Sequence, residues 1–197
     1  MALIHPDDEI TTPRSDRIAF RIVERGTDEH CIDQGFKRMA LEAGATIHYN
    51  TKADPKDCTI IAAGPKDTSA IAFGEVFKTS FPNHVSFQLN DKLAPGAYSY
   101  LIVIDGVGLI CTCLWRKQKN SSRYLNETIA CYEKLYPELD RVPIKRVGGK
   151  GDFSIPSTYF SDGQYFVGEA GGLQDFMWGF GMRYAVTSGV MAANCLL

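Results

Sequence analysis

The part of the chain best suited to hold a ligand is a glycine-rich stretch near its end. A strand-like run over residues 164–167 leads into the sequence GEAGG, and the sequence GFG then precedes a predicted helix. Glycines let a ligand approach the backbone closely, and free N–H groups at a helix start attract anions or polar ring edges. The stretch contributes these candidate contact residues: Gly168, Glu169, Ala170, Gly171, Gly172, Gly179, Phe180, Gly181 and Met182. This order of strand, turn and helix is typical of sites for phosphates or nucleotides.

Glu169 adds a charged group to this stretch. A carboxylate placed directly after a strand can accept hydrogen bonds from ribose hydroxyls. The alternative is that the glycines serve only a tight turn and close helix packing. Gly179-x-Gly181 with Ala185 is by itself a weak match to a dinucleotide loop.

Residues for nucleophilic or metal chemistry show no comparable arrangement. The four histidines lie far apart, and no Ser/His/Asp or Cys/His set occurs at an informative spacing, so no catalytic residue is assigned. The six cysteines include no C-x-x-C pair, although Cys111 and Cys113 would lie on one face of a strand. We therefore expect reduced, mostly buried thiols and no metal site.

A set of aromatic residues suggests a second kind of contact. Some belong to predicted strands and the others to the loop beside the glycines: Tyr98, Tyr100, Trp115, Phe176, Trp178 and Phe180. Walls of this kind suit a long apolar substrate such as an isoprenoid. Ordinary core packing is the alternative.

The composition bounds the class of protein. A chain of 197 residues is long enough for one domain or two small ones with a real core. The net charge of −2 provides no basic field for nucleic acid or an anionic membrane. No apolar run approaches the roughly 20 residues that span a bilayer, and the start lacks a signal-peptide core. A cytoplasmic protein is therefore expected.

The first third of the chain has an α/β pattern. Alternating apolar residues predict a strand over 17–24, and helical spacing predicts a helix over 31–43 that ends at Gly44. Short apolar runs predict strands over 45–49 and 58–63.

The middle of the chain is richer in strands. The segment 76–89 alternates, and the runs 98–104 and 109–114 flank an Asp-Gly turn that strongly favours a hairpin. An amphipathic helix is predicted over 120–136.

The last part returns to an α/β pattern. A glycine-rich segment covers 147–152, strands are predicted over 153–158 and 164–167, and a final helix covers 181–197. A pocket between the two kinds of layer would be a natural ligand site.

Several segments together resemble FAD-dependent oxidoreductases of the p-hydroxybenzoate hydroxylase class, and within it the geranylgeranyl reductase family. Residues 168–172 and 179–181 resemble the family's G-D-A-A-G and the G-x-G that begins a helix. Residues 60–65 (IIAAGP) resemble its I-A-A-D-G-P strand end, without the Asp.

Two further segments carry the same resemblance. Residues 95–101 (PGAYSYL) resemble the substrate-sheet motif P-x-G-Y-x-W-x-F-P, with Tyr100 in the Trp position. Residues 23–45 resemble the family's E-R-x-x-F-D…G-A helix and strand. The order of these segments matches over roughly residues 20–195.

The resemblance implies FAD as the cofactor and particular roles in binding it. Glu169 stands where the family's Asp reaches the ribose side of FAD, with one methylene more. Residues 170–172 would face the pyrophosphate, and residues 179–182 would lie beside the isoalloxazine ring with their N–H groups polarising it.

The resemblance also implies a fold of class α/β (α+β). An incomplete FAD-binding, Rossmann-like layer would comprise residues 1–74 and 145–197. An antiparallel substrate-domain sheet with one helix would comprise residues 75–144.

The family's first motif, a strand followed by G-x-G-x-x-G, has no counterpart in this sequence. Residues 106–108 (GVG) lack the third glycine and lie in the predicted hairpin, and nothing before residue 20 fits. A parallel sheet without its first strand would leave an edge or apolar face exposed. Three explanations follow: a fragment of a flavoprotein, a chain completed by a partner or by its own copy, or a remnant without flavin chemistry.

Two functions of different classes therefore remain. One is part of an FAD-dependent oxidoreductase acting on an apolar, isoprenoid-like substrate, with a membrane surface involved only through that substrate. The other is a flavin-free remnant that binds a ligand or dimerises. A phosphate-binding or hydrolytic domain is disfavoured because the Lys-Ser/Thr of a P-loop is missing.

Overall fold

The computed structural model describes residues 1–18, 20–154 and 158–197. The chain forms two compact units, one made of residues 1–13 with 59–197 and the other of residues 14–58. The predicted division into a flavin-type layer and a substrate sheet stays a prediction.

The smaller unit is organised around one helix. The helix α1 covers Ile32–Glu42, as predicted, and Gly44 follows it with a φ of +86° that favours glycine. The strands predicted over 17–24 and 45–49 are wrong for the described residues, which lie in bends and irregular backbone. An alternating pattern of apolar residues forms a strand only where a second strand lies beside it to pair with. Here the apolar side chains stay in contact with solvent, and Ile18 is 69% exposed.

The described residues of the larger unit form two sheets and two further α-helices. Its strands are β1 (Ala2–Ile4), β2 (Ile10–Thr11), β3 (Ile60–Ile61), β4 (Ala70–Lys78), β5 (His84–Gln88), β6 (Ser99–Ile104), β7 (Val107–Leu114), β8 (Val142–Gly151), β9 (Phe160–Ser161) and β10 (Gln164–Phe166). Its helices are α2 (Ser121–Leu135) and α3 (Met182–Asn194). The predicted helices over 120–136 and 181–197 are thereby confirmed.

The large sheet has the strand order β2-β1-β5-β6-β7-β4-β8 in the described chain. Its pairs are antiparallel except for β1 with β5. The β6–β7 hairpin turns at Asp105 and Gly106, whose φ values of +48° and +80° fit a tight type I′ turn. The glycine-rich segment 147–152 proves to belong mostly to β8, which pairs with β4 along its length.

One face of the large sheet is buried by α2. Leu125, Ile129 and Tyr132 of α2 pack on Leu101 and Ile110 of the central strands in the main apolar core. Because side chains alternate along a strand, the residues between these point to the opposite face. That opposite face carries Tyr98 just before β6, Tyr100 of β6, and Cys111 and Cys113 of β7.

The small sheet has the order β3-β10-β9, with β3 and β10 parallel. A short 3-10 turn over Gly168–Gly171 follows β10 and leads, by a loop, to α3. Of the strand predicted over 153–158, Phe153, Ser154 and Thr158 lie in no strand, and residues 155–157 lie outside the described residues. Among the described helices, none combines the length and hydropathy of a membrane-spanning segment.

Candidate functional site

The glycine-rich stretch lies where two parallel strands end together. Tyr165 pairs with Ile60 and Phe166 with Ile61, so β10 and β3 reach their carboxyl ends side by side. Ligands of open α/β sheets bind beyond these ends. The segment around Gly64 follows one strand, and the GEAGG turn follows the other.

A polar cavity of about 280 Å³ opens at this edge. It offers one cation, two carboxylates and several hydroxyls from separate parts of the chain. Its lining consists of Lys66, Asp152, Ser154, Thr158, Ser161, Phe166, Glu169, Ala170 and Gly172. Such groups suit a hydroxylated ligand that also carries an anion.

Glu169 and Asp152 form the acidic side of the polar cavity. Glu169 Oε1 accepts a hydrogen bond of 3.0 Å from the Asp152 amide. The Asp152 side chain is buried, and its carboxylate accepts the amides of Asp67 at 3.1 Å and Ser154 at 3.0 Å. Hydrogen bonds from the Ser154 side chain and backbone lower the pKa of Asp152 below its usual value. Asp152 is thus a fixed anion that shapes the cavity wall.

Lys66 forms the basic side of the polar cavity. Its Nζ lies 4.2 Å from the centre of the Phe166 ring, in a cation–π contact. Lys66 follows the IIAAGP segment directly, and its ammonium group can attract a phosphate at the ends of the parallel strands.

The reasons why the fold requires glycine differ from one position of the stretch to another. A Cβ at Gly168 would lie 3.1 Å from the Ala185 Cβ, and one at Gly171 would lie 2.6 Å from the Phe166 carbonyl oxygen. These two glycines therefore serve close packing within the fold. Gly179 has a φ of +71°, so its backbone also favours glycine.

At Gly181 neither close packing nor a positive φ requires glycine. Its φ is −99°, and a Cβ there would meet only the Gln174 Cβ at 3.8 Å, an ordinary contact. It is the N-cap of α3, and no side chain caps the helix. The first helical hydrogen bond runs from the Ala185 amide to the Gly181 carbonyl at 2.9 Å. The helix start is therefore open in front of Gly181, as an approach to its amides requires.

The aromatic residues predicted to contact a substrate form two groups. Tyr98, Tyr100 and Trp178 surround Phe87, with ring centroids 5.2 to 6.0 Å from it. Trp115 and Phe176 instead flank Phe153, at 5.0 and 6.4 Å. Phe180 stacks on Trp178 at 6.5 Å and continues the first group towards α3.

The first aromatic group sits on the sheet face away from α2, together with the cysteine pair. Burial raises the pKa of both Tyr98 and Tyr100, so their hydroxyls stay protonated. The hydrogen bond with Cys111, together with burial, raises the pKa of the Cys113 thiol. This face presents mainly aromatic and other apolar groups.

The structure brings Glu169, Ala170 and Gly172 into the polar cavity and places Gly179, Phe180, Gly181 and Met182 at the start of α3. The sequence analysis singled out neither Lys66 nor Asp152 as a lining residue of the cavity. The sequence could have indicated Lys66, since this residue directly follows the strand-end motif at 60–65. Asp152 had no such signal, because its partner Asp67 is 85 positions away.

Comparison with known proteins agrees with this geometry at the level of the fold. The chain is similar to the crystal structure of a geranylgeranyl bacteriochlorophyll reductase-like protein from Thermoplasma acidophilum, with a TM-score of 0.67 and 18% identity over 98% of this chain. It is also similar to a flavin-dependent halogenase, with a TM-score of 0.59 and 14% identity over 81% of this chain. The chain spans 59% of the first protein and 38% of the second.

No protein-family model and no curated protein matches the sequence. The structural likeness therefore concerns the fold. It confirms the predicted α/β (α+β) class, which this chain builds from a large mixed sheet, a small second sheet and helices.

Proposed function

We propose that this chain supplies the second flavin-contacting motif and the substrate sheet of an FAD-dependent oxidoreductase resembling geranylgeranyl reductases. Two solved proteins with a similar fold support the proposal, one by being a reductase-like protein and the other by being flavin-dependent. When bound, FAD would supply the electron transfer, and the chain would supply binding and orientation.

The open start of α3 at Gly181 is the observation that carries the proposal. The fold accounts for glycine at 168, 171 and 179, whereas at 181 a Cβ would make only an ordinary contact of 3.8 Å among the described residues. A flat ring placed against the α3 amides would explain the missing side chain. The amides would then donate towards the ring edge, where negative charge accumulates on reduction.

The polar cavity fits the hydroxylated and phosphorylated part of FAD. Glu169 and Asp152 would accept hydrogen bonds from hydroxyls, and Lys66 would attract a phosphate. One Glu169 oxygen already accepts the Asp152 amide, so its other oxygen would serve the ligand. The cavity holds about 280 Å³, which suits only a part of so large a cofactor.

The aromatic face of the large sheet would take the substrate. Phe87, Tyr98, Tyr100 and Trp178 form a neutral wall beside the loop that leads to α3. An apolar, isoprenoid-like chain gains free energy from burial against such a wall. Trp115 and Phe176 would contact only a substrate that extends past Phe153.

A second candidate is a flavin-free module that binds a ligand or dimerises. It is favoured by an exposed apolar stripe on α3, where Met182, Val186 and Val190 follow one another at intervals of four residues. A partner chain or a second copy would cover this stripe. Molar mass in solution, measured with and without FAD, separates a dimerising module from a monomer.

An FAD titration tests the proposed function. If contacts from outside this chain supply even about 4 kcal/mol, the affinity is about a thousandfold weaker than in a complete enzyme. We expect weak but measurable quenching of flavin fluorescence that is lost in Gly181→Trp. Gly189→Trp is the matched control, since position 189 of the same helix faces open space. An absence of binding up to about 1 mM, worth only about 4 kcal/mol, would refute the proposal.

A further inference from the structure

We propose that the smaller unit binds a divalent transition metal of the zinc type through Glu24, His30 and Cys31. One ligand atom from each side chain lies within 4.8 Å of the other two, the one such group among the described residues. The group is independent of the glycine-rich site. It escapes a search for C-x-x-C spacing because it contains a single cysteine.

The backbone holds the three side chains together. The Ile32 amide donates to the Glu24 carbonyl at 3.1 Å, which fixes the segment before the turn to the start of α1. The Cys31 amide donates to the Asp28 carbonyl at 2.9 Å and closes the turn between them. The three ligands are thus placed by short-range hydrogen bonds and need no rearrangement of the chain.

The neighbouring cation Arg25 pairs with another carboxylate, so it does not compete with a metal ion for Glu24. Arg25, the nearest cation in sequence, has its Nε 2.7 Å from Asp33 Oδ2, and the Gly26 amide donates to the same carboxylate at 3.0 Å. The guanidinium is therefore engaged on the side of Asp33. Gly26 also leaves room at the thiol, because a Cβ there would lie 3.8 Å from the Cys31 sulfur.

The Cys31 thiol is the buried member of the group. The residue is 3% exposed, and its sulfur is not in a disulfide. The other two ligands are accessible, with side chains 71% exposed for His30 and 65% for Glu24. A buried thiol beside two accessible ligands forms a site that a metal can reach from solvent.

The ligand set selects the metal. Sulfur, imidazole nitrogen and carboxylate oxygen are the zinc ligands of proteins, at about 2.0–2.3 Å from the ion. His30 Nε2 and Glu24 Oε2 now share a contact of 2.5 Å, which small rotations of two exposed side chains would open around an ion. On binding, the thiol releases its proton to solvent, and water completes a tetrahedron.

Cobalt(II) is the probe, since its bond to a thiolate gives a charge-transfer absorption. Metal-free protein titrated with Co²⁺ should develop this band, and Zn²⁺ should remove it. Cys31→Ser should abolish the band. Glu24→Gln and His30→Gln should each weaken Co²⁺ binding by more than the roughly 10- to 100-fold that loss of an outer-shell partner costs.

Two controls make the result specific. Cys195→Ser removes an exposed thiol and Cys58→Ser removes the other cysteine of the smaller unit, and both should keep the band. Glu24→Gln and His30→Gln alter exposed side chains, so they remain informative if Cys31→Ser fails to fold. No band with millimolar Co²⁺, a band that survives Cys31→Ser, or unchanged affinity in both exposed-ligand variants would overturn the proposal.

Discussion

The Tyr98 hydroxyl donates a hydrogen bond to the Trp178 carbonyl oxygen, and the two rings meet edge to face with centroids 5.0 Å apart. Tyr98 precedes β6 of the large sheet, and Trp178 lies in the loop that leads to α3. The contact therefore joins the proposed substrate face to the proposed flavin motif.

Tyr98→Phe should loosen this link. The variant keeps the ring contact but removes the donor to the Trp178 carbonyl, so we expect a loss of about 1 kcal/mol in the free energy of unfolding. Urea denaturation measures it. Tyr49→Phe alters an exposed tyrosine and should stay within about 0.5 kcal/mol of the parent. Equal effects of the two variants would show that the hydrogen bond contributes nothing to stability.

The two glycines at 171 and 189 should respond to alanine in opposite directions. At Gly171 a Cβ would lie 2.6 Å from the Phe166 carbonyl oxygen, and the overpacking should cost about 1–3 kcal/mol. At Gly189 a Cβ meets nothing within 4 Å, so Gly189→Ala should stabilise α3 by about 0.5–1 kcal/mol. Thermal unfolding of both variants checks the signs. A stable Gly171→Ala protein would contradict the packing described for the GEAGG turn.

Asp152 should make the larger unit sensitive to acid. Its folded-state pKa is lowered by the Ser154 hydrogen bonds, so its contribution to stability is fully present above its usual pKa near 3.8. That contribution is lost as the pH falls from about 4 through the lowered pKa. Asp152→Asn should flatten the dependence of stability on pH in this range.

Asp162→Asn is the control for that experiment. It changes an exposed carboxylate whose residue has a φ of +53°, a conformation that asparagine also adopts. Its pH profile should match that of the parent. An Asp152→Asn protein with the parent's profile would mean that the buried carboxylate does not couple folding to protonation.

The sequence predicted those features that depend on neighbours along the chain. The Asp105-Gly106 hairpin, α2 and the turn after β10 each have a local signal, and all three are present. The strand predicted over 17–24 failed because alternation describes one segment, whereas a strand needs a partner. Contacts such as that of Asp67 with Asp152 join distant segments, and only the folded chain reveals them.

The same distinction between local and distant contacts explains which parts of the candidate site the sequence could predict. The motif at 168–172 was visible because its glycines are needed by the turn itself. The polar cavity was not, since Lys66 and Asp152 come from separate segments. The significance of Gly181 emerged only when the other glycines could be explained by packing or backbone angle.

Amide hydrogen exchange of the wild-type chain, with and without saturating FAD, would show whether the start of α3 holds the flavin. We expect FAD to slow exchange at residues 168–172 and at 182–184, the start of α3. Helix α2, on the far face of the large sheet, should exchange at an unchanged rate. No change at the start of α3, or protection confined to other segments, would contradict the claim that this motif holds the flavin.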